Sequence, residues 1–208
     1  MRGSGMLLPV ASLPSKYGIG SFSKSAYEFV DLCAEAGQKY WQILPLCPTS
    51  YGDSPYQSFS TYAGNPYFID LDQLIEEKLL TRKECQACDF GDDPQDIDYG
   101  KLYENRFKLL RKAYERANVG EDQEFEAYRR ENAWWLDDYA LFMAVKDRFD
   151  GVAWNEWAED IRLRWSNAMD YYRRELYYEI EFYSYLQFVF MKQWKKLKNY
   201  ANINGIEI

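Results

Sequence analysis

The chain has 208 residues, with 33 acidic and 25 basic side chains, a formal charge of −8 and no histidine. At about 100–200 residues per domain, this length fits one domain, or one with a large insertion, and a 47% apolar composition argues against disorder. The missing histidine excludes a Ser-His-Asp triad, a Cys-His pair, a His-x-x-x-His zinc site and an imidazole base, and the acidic balance excludes nucleic acid as a partner.

Gly5–Val10 is a short apolar run, expected to form a strand buried on both faces. A Gly/Ser/Pro loop follows over Ser12–Gly20. Ser25 with Glu28 reads as a capping box for a helix whose apolar stripe is Ala26, Phe29, Val30 and Cys33, and Gly37 is its stop signal. Lys39–Leu44 reads as a second buried strand closed by Pro45. Strand, loop, helix and strand make one βαβ unit, expected to cross over with the right hand.

Leu46–Asn65 has neither a helical nor an alternating period and is rich in Pro, Gly, Ser, Thr and Tyr. Structureless loops longer than about 12–15 residues are uncommon in compact domains and are often functional. This one leaves the carboxyl end of a βα-type strand, where ligands sit in such sheets and barrels.

From Asp72 onward the pattern is helical. Tyr103, Phe107, Leu110, Tyr114 and Ala117 recur at helical spacing, and Trp135–Lys146 is a second helical segment. Leu176, Ile180, Tyr183, Phe190, Trp194 and Leu197 stripe a long helix over about 174–200. Gly205 then precedes Ile206–Ile208, which reads as the start of a strand. Lys192, Lys195, Lys196 and Lys198 read as the solvated, dipole-favoured end of the long helix.

Cys85 and Cys88 form one C-x-x-C, but zinc needs four ligands and no second pair or histidine follows, so no metal is expected. A redox pair would sit between a strand and a helix, whereas Glu76–Glu84 reads as helix. Four cysteines without a secretion signal fit reduced thiols and a cytoplasmic protein. No apolar stretch approaches the ~20 residues of a membrane span, so no membrane partner is expected.

The aromatic residues concentrate between Trp134 and Tyr200, where helical spacing favours a packed core over a sugar-binding platform. Tyr17, Tyr51, Tyr56 and Tyr62 differ, because they lie on the two irregular loops beside Asp53 and Ser54. Amphipathic rings next to a few polar groups are what an oligosaccharide site needs.

Several segments carry a family resemblance: Arg2-Gly-Ser-Gly-Met-Leu-Leu8, Ser12-Leu-Pro-Ser-Lys-Tyr-Gly-Ile-Gly20, Ala36-Gly-Gln-Lys-Tyr-Trp-Gln-Ile-Leu-Pro45 and Tyr51-Gly-Asp-Ser-Pro-Tyr-Gln-Ser58. Ala63-Gly-Asn-Pro66, Trp135-Leu-Asp-Asp-Tyr-Ala-Leu-Phe-Met143 and Gln193-Trp194 continue it. In these blocks the chain resembles the opening of the 4-α-glucanotransferases, also called amylomaltases or disproportionating enzymes.

The resemblance implies an α/β fold, the N-terminal part of a (β/α)8 TIM-type barrel with a large, mostly helical insertion. It would hold about the first two barrel strands and the start of a third. Residues 1–70 would be the first βα units with substrate-facing loops, 71–172 the helical insertion, and 173–208 the long helix and the next strand, cut at Ile208. The implied activity is retaining transfer of α-1,4-glucan segments to the 4-hydroxyl of a glucan or glucose, through a covalent glucosyl-enzyme and without metal or organic cofactor.

The implied partners are maltodextrins and maltose, with glucose as acceptor. The family's catalytic carboxylates lie on later strands, so none is placed in this chain, and the chain alone is expected to be inactive. Ser54 and Tyr56 match residues lining donor subsites. Tyr51, and by a looser alignment Tyr99, match tyrosines of a second glucan site. Many relatives carry a histidine just before the Ser12 loop, where this sequence has Pro9-Val10-Ala11. Asp53 reads as a turn former. The alternative is a stand-alone, non-catalytic glucan-binding module, with an assembly protein built on the aromatic helices as a third option.

Overall fold

Two short strands, β1 (Gly5–Leu7) and β2 (Tyr40–Gln42), pair in parallel with Gly5 opposite Tyr40, Met6 opposite Trp41 and Leu7 opposite Gln42. The computed structural model describes every residue except Met1, Arg2, Tyr51 and Pro94. Between the strands lies α1 (Lys24–Glu35), so the predicted βαβ unit is present. Glu207 makes a parallel bridge to Tyr40, and its backbone N–H donates to the Lys39 carbonyl at 2.9 Å. The chain end therefore returns beside β2, as the Ile206–Ile208 pattern predicts.

Two expectations about the strands are corrected. Met6 is 48% and Leu7 59% exposed, and of the three β2 residues only Trp41 is buried. A ladder this narrow has too little packed against its faces, among the described residues, to enclose an apolar run on both sides. The α1 capping box is also absent. Ser23 is the N-cap and makes no side-chain cap bond, so Ser25 falls inside the first turn and its hydroxyl donates to the Pro14 carbonyl at 2.9 Å. The stop is as predicted: Gly37 has φ of 67°, and the Gln38 N–H donates to the Cys33 carbonyl at 2.9 Å.

After the irregular stretch 43–65 come α2 (Leu71–Glu76), α3 (Arg82–Gln86), α4 (Tyr99–Arg116), α5 (Gln123–Arg148), α6 (Glu159–Arg162), α7 (Ser166–Glu175) and α8 (Tyr177–Ile203). The chain forms two compact units, Met1–Asn118 with Val189–Ile208, and Val119–Phe188. These limits differ from the expected divisions at 70/71 and 172/173, because α2–α4 pack into the unit that holds the strands.

In the first unit Phe22 is wholly buried, with ring centroids 5.2 Å from Phe190, 5.5 Å from Trp194 and 6.0 Å from Phe68. Burial of one such side chain stabilises by about 1.5–3 kcal/mol. Gly64 lies against the same cluster: a Cβ there would sit 2.1 Å from the Phe190 ring, so the chain needs glycine at that point. Gln193 secures the next segment, its Oε1 accepting from the Asp70 N–H at 2.7 Å and its Nε2 donating to the Asp70 carbonyl at 3.3 Å.

The expected stripe on α4 is displaced. Leu102, Arg106, Leu109, Leu110 and Ala113 are buried, while Tyr103 is 61% exposed and Phe107 lies at the margin. Apolar periodicity cannot find this face, because its central member is a charged residue. Arg106 is fully buried and donates to the carbonyls of Ile69 and Tyr17. Burial pushes its guanidinium down to about 10, against the opposing pull of Asp70, so it stays charged at neutral pH.

In the second unit Leu141, Val145, Trp157, Ile161, Ala168 and Met169 form a core, with Phe149 stacked on Trp157 at 5.8 Å and 15°. Residues 182–188 of α8 are buried in succession, so this part of the helix is enclosed on all sides rather than striped. The aromatic region is only in part a core: Trp134, Trp154, Trp165 and Tyr178 are exposed.

α3 is anchored locally. Thr81 caps it in a reciprocal box with Glu84, and Arg116 makes two contacts to the same carboxylate, at 2.7 and 3.0 Å. Arg116, and after it Thr81, hold the Glu84 carboxyl well below the usual range. A carboxylate with a depressed folded pKa stabilises above its ordinary value, here 4.5, and that contribution disappears as pH falls through the folded pKa. Thr81→Ala is expected to cost about 1 kcal/mol in urea unfolding at pH 7. The difference between parent and Arg116→Ala midpoints should shrink from pH 7 to pH 3, and an unchanged difference would exclude the Glu84 pair as its source.

Candidate functional site

The loop that leaves β2 is closed at its base, where the Asn65 N–H donates to the Leu46 carbonyl at 2.8 Å. The Asn65 side chain accepts from the Tyr67 N–H at 3.0 Å, which starts the turn Pro66–Phe68. Inside the loop, Ser50 N–H donates to the Gln57 carbonyl at 3.1 Å, and Gln57 N–H to the Ser54 carbonyl at 3.1 Å. Serine hydroxyls take up further backbone donors: Ser60 Oγ accepts from Ala63 N–H at 3.1 Å and Ser54 Oγ from Tyr56 N–H at 3.3 Å. The serine content that removes any helical or strand period thus supplies the turns of a compact loop.

The first loop is held equally closely. Val10–Ser12 forms one tight turn, and Gly20 N–H donates to the Ala11 carbonyl at 3.0 Å. The Tyr17 hydroxyl donates to Asp72 Oδ1 at 2.8 Å, and Lys16 pairs with the same carboxylate at 2.9 Å. Burial and then this hydrogen bond push the Tyr17 phenol up. Burial opposes ionisation of Asp72, but Lys16 and Tyr17 prevail and hold its pKa down.

Two grooves open along these loops. One, of about 210 Å³, lies between the turn after β1, the segment Leu44–Pro55 and the start of α4; Thr49, Asp53, Asn65, Phe68 and Tyr99 are among its lining residues. A larger one, of about 610 Å³, runs between Ala11–Gly20 and the acidic segment that includes Asp92, Asp93 and Asp96. Ala11, Ser12, Ile19 and Ile97 line both.

Of the four predicted binding residues, Tyr99 lines the smaller groove as the first residue of α4, behind the N-cap Asp98. Its ring lies 6.3 Å from that of buried Tyr67. Ser54 is half-buried and Tyr56 is 74% exposed, both in the loop that forms the wall of this groove but neither among its lining residues. Tyr51 lies outside the described residues.

Asp53 is the residue that sequence reasoning passed over. Its φ of 54° agrees with a turn role, yet it also lines the groove. Burial pushes its carboxyl up, and after burial its charge is the largest influence raising the phenols of Tyr67 and Tyr99. Its place beside the loop tyrosines marks it as a neighbouring polar group, but its position between Gly52 and Ser54 reads as a turn.

Among the described residues no three His, Cys, Asp or Glu side chains cluster as metal ligands, and no helix is long and apolar enough to cross a membrane. Cys85 is buried, its thiol pushed up to about 11 by burial and then by Cys88, the opposite of an activated redox thiol.

The structure overlays with a TM-score of 0.93 on an amylomaltase from Streptococcus agalactiae solved in complex with acarbose, at 42% identity, covering 99% of this chain and 42% of that one. A mostly helical chain with a small parallel sheet, folded like the corresponding part of an amylomaltase, defines the class. In sequence, it is 51% identical over 199 residues to a 4-alpha-glucanotransferase of Clostridium butyricum and 43% identical over 211 residues to that of Thermus thermophilus. These alignments cover 96% and 100% of this chain but 41% of each relative. The family model described as 4-alpha-glucanotransferase matches residues 8–208, and the chain belongs to that family.

Proposed function

We propose that this chain is the glucan-binding opening of a retaining 4-α-glucanotransferase, contributing the first barrel strands and their loops while the reacting carboxylates lie outside it. The family match along residues 8–208 carries this reading. The groove beside the Leu46–Asn65 loop supports it, since a tyrosine ring, a carboxylate and threonine and asparagine side chains converge there on one small concavity.

In the proposed reaction a carboxylate attacks the anomeric carbon as the glycosidic C–O bond breaks. A second carboxylic acid protonates the departing oxygen. As a carboxylate it then takes the proton of an acceptor glucan's or glucose's 4-hydroxyl, whose oxygen attacks the anomeric carbon as the bond to the enzyme breaks. Such chemistry needs two carboxyl groups about 5–5.5 Å apart. Asp53 is the one acidic residue lining the smaller groove among the described residues, so the groove supplies a binding surface rather than a catalytic pair. Ser54, Tyr56 and Tyr99, with Tyr51, are the proposed glucan contacts. Cys33, Cys47, Cys85 and Cys88 are free thiols, in keeping with a cytoplasmic protein.

Incubation of the chain with maltotriose, followed by chromatography, is expected to yield neither glucose nor longer maltodextrins. Sustained turnover would overturn the placement of the carboxylates. Calorimetric titration with maltoheptaose is expected to show binding that Tyr56→Ala and Tyr99→Ala each weaken several-fold, as loss of ring contacts predicts. Absence of heat at millimolar sugar would count against the loops as glucan-binding elements.

A further inference from the structure

We infer that the Asp53 carboxylate is itself a glucan-binding group, accepting hydrogen bonds from sugar hydroxyls in the groove it shares with Tyr99. The inference rests on the glucan-binding reading above and adds to it a residue whose sequence position reads only as a turn.

The geometry argues for more than a turn. Asp53 lies among the groove-lining residues with Thr49, Asn65 and Tyr99, partly removed from water. Among the described residues its carboxylate has no hydrogen-bond or ion-pair partner, although its backbone N–H is used, donating to the Ser50 carbonyl at 3.1 Å. A turn-forming aspartate ordinarily spends its side chain on the backbone two residues onward, as Asp89, Asp93 and Asp122 do elsewhere in this chain. Asp53 departs from that pattern.

The carboxylate is not among the buried unpartnered groups; its oxygens stay open to the groove, so a ligand there meets an acceptor that no protein donor has taken. The groups facing it electrostatically are the phenols of Tyr67 and Tyr99, and both are raised by its charge. An ionised carboxylate accepts only, through two oxygens, and sugar hydroxyls are donors that match it, with Tyr99 supplying an adjacent ring face. The chemical class that fits is therefore a neutral polyhydroxyl ligand, the same class as the proposed substrate.

The two roles of Asp53 separate experimentally. Asparagine is at home at a φ of 54°, so Asp53→Asn keeps the backbone conformation while removing the charge and one acceptor oxygen. Asp53→Gly also accepts that φ and removes the side chain altogether. With maltoheptaose as the titrant, Asp53→Asn is expected to raise Kd about tenfold, the loss of one charge-assisted hydrogen bond, with an unchanged urea midpoint. Asp53→Gly is expected to raise Kd at least as much, and stands in if the asparagine variant does not fold.

Folded Asp53→Asn and Asp53→Gly proteins that bind within twofold of the parent, while Tyr99→Ala loses affinity, would overturn the Asp53 assignment and leave the glucan-binding reading standing. A parent chain that binds no maltoheptaose would overturn both. The three patterns differ, so failure of the one is not mistaken for failure of the other.

Discussion

Replacing Arg106 with alanine is expected to lower the unfolding free energy of this chain by about 3–5 kcal/mol, the range for removing one member of a buried charged network. The guanidinium sits on the inward face of α4 and donates to the carbonyls of Tyr17, in the Ser12–Gly20 loop, and of Ile69, directly after the Pro66–Phe68 turn. Its removal leaves both carbonyls without that donor and deprives Asp70, itself buried, of the positive charge that favours its ionised form. Arg106→Met separates packing from charge, because methionine restores most of the apolar stem. A methionine variant that recovers parent stability would assign the whole effect to volume. One that remains at least about 2 kcal/mol below it, as orphaned buried acceptors predict, would assign it to the hydrogen bonds.

Gly20→Ala is expected to be comparably severe, costing about 3 kcal/mol, the upper end for forcing extra volume into a packed site. A Cβ on Gly20 would lie 2.0 Å from the Val10 carbonyl oxygen, 2.8 Å from the Leu13 nitrogen and 2.9 Å from the Leu13 oxygen. All three are backbone atoms of the turn after β1, so no side-chain rotation can relieve the overlap. The Gly20–Ala11 hydrogen bond would have to lengthen, and the turn that lines both grooves would move with it. Urea titration should show the lowered midpoint, and maltoheptaose affinity should fall with it. A variant as stable as the parent would mean that the turn can be rebuilt without loss.

Much of the site could be read before any coordinates. The Leu46–Asn65 segment is legible as an irregular loop because its Pro, Gly and Ser content defeats both periodicities, and its position after a βα-type strand makes it a candidate for ligand contact. Tyr99 was reached through the resemblance, and it lines the groove. Asp53 was not legible as a binding residue, since the feature that matters is what its carboxylate does not touch. Arg106 was not legible either: at sequence level a charged residue among leucines marks a solvent face, and only its carbonyl partners make burial tolerable.

What the sequence determined by itself is the local grammar. The stop at Gly37 and the helical runs of α4 and α5 depend on residues a few positions apart, so short-range propensity and sterics decide them. What only the tertiary structure decided is which faces are hidden. The buried side of α4 turned onto Arg106, Ser25 gave up a cap for the Pro14 carbonyl, Met6 and Leu7 stayed exposed, and Asp53 came to rest opposite Tyr67 and Tyr99. Each of these turns on partners tens of residues away or on the lack of a covering layer, and burial and hydrogen-bond satisfaction are properties of the assembled surroundings rather than of a window of sequence.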